Sequence, residues 1–138
     1  MTDDPLLEVA EGFGPLLSVG ATRLENGGIE ELVLAFELGR LKVGVDPDWD
    51  TVVLSATPGA EGGRTAVHVG GEPWSRCIGL RVRWIWRLQN QREFFDGVQL
   101  EFAGERESPA IQIVAEASAL RLFALVPLSV PEISSERS

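Results

Sequence analysis

The chain reads as a mainly β protein, with α+β as the alternative: one domain, an antiparallel sheet of about seven strands curled into a sandwich or partial barrel, with one or two short helices. Three observations predict this. Apolar and polar residues alternate in run after run, as in Glu31 to Leu38, Leu80 to Leu88 and Val98 to Phe102. Turn residues punctuate the runs at Asn26-Gly27-Gly28, Asp46-Pro47 and Asp96-Gly97. β-Branched residues concentrate in Thr51 to Ala56 and in Ile111, Ile113 and Val114.

In chain order, residues 1–13 suit a short amphipathic helix, capped by Asp3 or Asp4 and opened by Pro5. Leu16 to Leu24 reads as extended, with Leu16, Ser18 and Gly20 on one side and Leu17, Val19 and Ala21 on the other. A hairpin follows, with Gly39-Arg40 as its two-residue loop; this pairs Leu38 with Leu41, Phe36 with Val43 and Glu37 with Lys42. Asp46-Pro47-Asp48-Trp49 suits a type I turn. Thr51 to Ala56 is then a strand apolar enough to be buried on both faces. Residues 57–73 form a glycine-rich loop, with Thr65 to Val69 as a short edge strand. Pro73 to Cys77 fits one helical turn.

The central feature is Ile78 to Phe102. Leu80, Val82, Trp84, Trp86 and Leu88 share one face by period two, with Arg81, Arg83 and Arg87 on the other. Matching that face to Val98, Leu100 and Phe102 sets Val82 opposite Phe102, Trp84 opposite Leu100, Trp86 opposite Val98 and Arg83 opposite Glu101. Both tryptophans then point into the core. Ala110 to Ala115 and Leu120 to Leu125 read as two more strands, although residues 111–125 also admit a helix. The globular domain is expected over residues 1–126, with residues 127–138 as a flexible tail.

The 138 residues suffice for a core without disulfide or metal staples. One cysteine, Cys77, excludes an internal disulfide. The acidic start lacks the pattern of a secretory signal, and no apolar run nears the ~20 residues of a membrane span, so a cytoplasmic protein with no membrane partner is expected. Net charge is −9, and residues 1–75 carry thirteen acids against four bases. That balance argues against nucleic acid as a partner and is compatible with a basic protein surface.

Catalytic signals are sparse. His68 is the one histidine and lacks the surroundings of a triad. Cys77 lies beside Arg76, which can lower a thiol pKa, but a small buried thiol is the simpler reading. No phosphate loop or zinc spacing occurs, and no cofactor is expected. The candidate binding residues are Asp46, Asp48 and Asp50, whose spacing suits a hard cation, and Asn90, Gln91, Arg92 and Asp96 in the long central loop. Each also has a conformational reason to be there: the aspartates serve a turn, and Asn90 and Asp96 bond loop backbone. Arg81, Arg83, Arg87 and Arg92 either bind an anionic group or simply cover the outer sheet face.

The run Trp84-x-Trp86-x-Leu88-x-Asn90-Gln91, then Phe95-Asp96 and Gln99-Leu100-x-Phe102, resembles the signature of a family of small uncharacterised bacterial proteins. Val45-Asp46-x-Asp48-x-Asp50-Thr51 resembles that family's other landmark, and the match covers roughly residues 30–125. Arg92 and Glu93 depart from the family's pattern, which has a Gln and a Gly there. The resemblance implies a bacterial cytoplasmic protein and no particular activity. Two functions remain open from the residues. One is a non-catalytic module that binds another protein, such as an immunity-type inhibitor; the other is a small-ligand or divalent-metal-dependent enzyme using Asp46, Asp48 and Asp50 with the central arginines.

Overall fold

The computed structural model describes residues 5–59, 67–106 and 108–125. A helix, α1 (Pro5–Gly12), precedes a four-strand meander: β1 (Leu16–Arg23), β2 (Ile29–Phe36), β3 (Gly39–Asp46) and β4 (Thr51–Pro58). The short β5 (Val67–His68) pairs with β1, and a 3₁₀ turn (Trp74–Arg76) follows. A second meander is built from β6 (Val82–Gln89), β7 (Phe95–Phe102), β8 (Ala110–Glu116) and β9 (Ala119–Leu125). All pairings are antiparallel, and the sheet runs β4-β3-β2-β9-β8-β7-β6.

Among the described residues the backbones of the two meanders pair at two corners. Ile29 of β2 pairs with Leu120 of β9, and Pro15 pairs with Arg81 just ahead of β6. Between the corners the sheet curls into a half-barrel, so that β4 packs across β7 and β8. α1 lies against β3, β4 and β6. It thereby bridges the terminal strands of the sheet order, with Leu6 and Val9 buried against the core. The core draws on the inward positions of both meanders: Leu32, Leu34, Phe36, Leu41 and Val43 from one, Val98, Leu100, Phe102, Ile111 and Ile113 from the other. Each such side chain contributes about 1.5–3 kcal/mol by leaving water.

Mainly β character, a single domain and the curled antiparallel sheet agree with the sequence pattern. So do the short first helix, the edge strand at β5, the helical turn after Pro73 and the reading of residues 110–125 as strands rather than a helix. The caps expected at Asp3 or Asp4 and the tail expected over 127–138 lie outside the described residues.

Three register expectations are overturned. In β6, Val82 pairs with Phe102 as expected, but a β-bulge at Arg83 follows. Trp84 then stands opposite Glu101, Ile85 opposite Leu100 and Trp86 opposite Gln99. One extra residue exchanges the two faces of a strand. Ile85 therefore packs against the core, while Trp84 and Trp86 are 54% and 43% exposed. The buried tryptophan is Trp74, at 1% exposure. The pairs expected for Arg83, Trp84 and Trp86 do not form. A second bulge, at Leu17 in β1, acts the same way: Leu16, Val19 and Ala21 all point inward although their spacing is not strictly alternate.

The hairpin of β2 and β3 turns at Glu37-Leu38, not at Gly39-Arg40. Phe36 pairs with Gly39, Leu34 with Leu41 and Leu32 with Val43. The shift covers an even number of residues, so the inward face survives it. Gly39 has a packing role instead of a turn role. A Cβ there would sit 2.5 Å from ring atoms of Phe13, whose ring also meets Phe36 at 6.1 Å between centroids. The backbone N–H groups of Glu37 and Leu38 donate to the carbonyls of Pro15 and Phe13, each at 2.9 Å, and so fix the turn to the segment before β1. β4 is buried on one face only, since Val52 is buried and Val53 is exposed.

Replacing Gly39 with alanine must displace the Phe13 ring, and overpacking of this kind costs about 1–3 kcal/mol. Urea denaturation of Gly39→Ala should show that loss. Gly12→Ala, at a site with nothing within 4 Å of the new methyl group, should be neutral or slightly stabilising.

Candidate functional site

The sequence-derived site residues come from two loops that the fold brings to the same end of the half-barrel. One joins β3 to β4 and holds Asp46, Asp48, Trp49 and Asp50; the other joins β6 to β7 and holds Asn90, Gln91, Arg92, Glu93 and Phe94. The rings of Trp49 and Phe94 meet edge to face at 6.0 Å, which places the loops side by side. The turn between β8 and β9, Ala117-Ser118, closes the same end.

Each loop is held by its own polar side chains. In the first, the Asp46 carboxylate accepts from the backbone N–H of Asp48 at 3.0 Å, and the N–H of Asp50 donates to the Asp46 carbonyl at 2.7 Å. Asp50 adopts φ of 55°, which turns its carboxylate away from the loop and toward β8–β9. There its oxygens accept from the N–H groups of Ala117 at 3.0 Å and Ser118 at 2.9 Å. Those two residues have φ of 55° and 64°, the left-handed values of a two-residue hairpin turn usually made with Asn and Gly. The carboxylate thus satisfies two neighbouring donors that the turn directs outward. The Ser118 hydroxyl adds a bond to the Pro47 carbonyl at 3.4 Å.

In the second loop, the Asn90 side-chain oxygen accepts from the N–H groups of Arg92 at 2.8 Å and Phe94 at 3.2 Å, while its amide nitrogen donates to Asp96 at 3.5 Å. The backbone of Asn90 also exchanges bonds with Glu93 and Phe94. Glu93 carries the positive φ, 68°, that the tight return needs. Gln91, Arg92, Glu93 and Phe94 project outward from this frame and are exposed.

Asp46 and Asp50 thus hold their neighbours, and Asp48 is the exposed carboxylate of the three. Among the described residues no three acidic, His or Cys side chains are grouped closely enough to hold a metal ion. The residues missed by sequence reasoning are Trp49, 63% exposed, and Phe94 beside it. The available signal was a tryptophan within an aspartate-rich turn, where no core is within reach.

Elsewhere, Arg81, Arg83 and Arg87 are exposed; Arg83 lies over the Trp84 ring at 5.9 Å and Arg87 over Phe95 at 5.1 Å. His68 is exposed on β5, across from Gly20. Cys77 is buried, and desolvation, with Glu72 adding to it against the opposing pull of Arg76, raises its thiol pKa to about 12. Proximity to Arg76 therefore does not activate it.

This architecture defines a small antiparallel β half-barrel with three loops gathered at one end and no assembled catalytic constellation among its described residues. The chain belongs to DUF6334, a family of unknown function whose model matches residues 13–128. No curated protein and no solved structure matches it significantly. No described helix is long and apolar enough to cross a membrane.

Replacing Asp50 with asparagine leaves one acceptor for two donors and turns an amide N–H toward a backbone N–H. A loss of about 1–3 kcal/mol is expected in urea denaturation, with Asp48→Asn within about 0.5 kcal/mol of the parent.

The Cys77 thiol, with its raised pKa, stays protonated in the folded chain while the unfolded chain ionises near the ordinary thiol value of 9.0. The folded state thus binds the extra proton, and stability should fall as pH rises from about 9 toward 12. Iodoacetamide at pH 8 should label Cys77 only after denaturant is added.

Proposed function

We propose that this chain is a non-catalytic protein-interaction module of the bacterial cytoplasm, an immunity-type inhibitor whose loop end docks on a basic surface of another protein and occludes it. The observation that carries this reading is the exposed Trp49–Phe94 pair, seated on two internally bonded loops, with the exposed acids Asp48 and Glu93 as the sequence neighbours of the two rings. Aromatic anchors on a rigid support are the usual source of binding energy at an interface, because little conformational freedom is lost when they dock. The negative charge of these acids, on a chain of net charge −9, speeds encounter with a positive surface. The alternative, a divalent-metal-dependent enzyme built on Asp46, Asp48 and Asp50, has weaker support, since the first and third carboxylates already accept backbone donors.

The test is a cross-linked pull-down from the native host, followed by titration of the recovered protein. Trp49→Ala combined with Phe94→Ala should weaken binding about 30-fold or more, a hot-spot effect of at least ~2 kcal/mol. Recovery of no partner, together with a rise in melting temperature on adding calcium or magnesium, would establish the metal-dependent alternative instead.

A further inference from the structure

Among the described residues β6 ends the sheet, and no described strand pairs with its outer edge. Just before β6, that edge is covered. The Leu16 N–H donates to the Leu80 carbonyl at 2.9 Å, the Gly79 N–H donates to the Leu16 carbonyl at 2.7 Å, and Pro15 bridges Arg81. At Gly14, with φ of 78°, the chain turns away, and the preceding residues are coiled into α1. No described strand therefore continues beside Val82 to Gln89. In that place is a groove of about 590 Å³, walled by Leu6, Leu7, Ala10 and Glu11 on the helix side and by residues 83–87 on the strand side.

We infer that this groove receives an extended, acidic segment of a partner protein, which adds to β6 as a further strand. Main-chain pairing with an exposed edge gives affinity, and the side chains beside the edge give selectivity. The side chains here are specific. Trp84 and Trp86 stand outward on one face and present apolar surface at alternate positions, as the side chains of an added strand would require. The strand side of the groove carries Arg83 and Arg87 and no acid, on a chain that is otherwise strongly acidic. Carboxylates on the incoming strand would meet Arg81 and Arg83, both exposed.

The same charges disfavour a second copy of this chain. Two β6 strands paired antiparallel about Ile85 would set Arg83 against Arg87 at both ends, and like charges directly opposite destabilise a strand pair. Two chains of charge −9 also repel one another at long range. None of the residues that line this groove belongs to the Trp49–Phe94 loops, so the inference stands whether or not that end binds a partner.

The probe is a fluorescein-labelled eight-residue peptide of alternating Val and Glu, titrated against the full chain by anisotropy and by amide NMR. Two control peptides replace Glu with Lys or carry N-methyl groups on alternate amides. The acidic peptide should bind, with the largest shifts at the amides of residues 82–88. Arg83→Glu and the N-methyl peptide should each weaken binding about tenfold or more, and Trp49→Ala should leave it unchanged. Equal binding of the Lys peptide, shifts confined to other strands, or a sedimentation dimer that Trp84→Glu dissociates would overturn the proposal. Failure of all peptides to bind at millimolar concentration would do the same.

Discussion

The half-barrel depends on the seam where the start of β1 meets residues 79–81. Two backbone hydrogen bonds and one bridge hold it, around the fully buried Leu16. It is the place where an edge of the first meander is made to run beside an edge of the second. A bulge lies close on either side, at Leu17 in β1 and at Arg83 in β6. Bulges increase the local twist of a strand, and here they let both strands swing apart immediately after touching. The consequences reach every surface discussed above. β1 is freed to pair with β5, β6 is left with an open edge, and α1 falls across the side of the half-barrel between β4 and β6.

The sequence carried the fold class because alternation within each strand is a local signal, and most strands keep it. It could not carry the bulges. Arg83 is indistinguishable by residue type from Arg81 and Arg87, and nothing in the run Val82 to Leu88 marks where the alternation skips. The cause is a tertiary contact, the seam with residues from the other end of the chain. The hairpin of β2 and β3 differs in kind. Gly39 was legible as a glycine that mattered, but its reason is the Phe13 ring, which arrives from before β1. Glycine for close packing and glycine for a turn look alike until the neighbour is known.

Site residues were legible to about the same depth. Asp46, Asp48 and Asp50 stand out by spacing, and Asn90 to Asp96 by their position in a polar loop between two strong strands. That the two groups share one end of the molecule is a tertiary outcome: the β3–β4 connection reaches the β8–β9 turn at the corner where Ile29 pairs with Leu120, and Trp49 meets Phe94 of the β6–β7 loop. The division of labour among them was not legible. The pattern treats the three aspartates as equivalents, whereas Asp50 bonds residues 67 and 68 positions away and Asp48 bonds none of them. The aromatic pair is harder to read, because Trp49 enters the pattern only as the last position of a turn and nothing in the sequence sets it beside Phe94.

The Ala117-Ser118 turn holds two left-handed residues without a glycine, and its donors are met by a carboxylate from the opposite half of the chain. Such a turn has little reason to close by itself. The last hairpin therefore draws part of its corner's stability from the loop at residues 46–50, which couples the two meanders at a point remote in sequence from the seam.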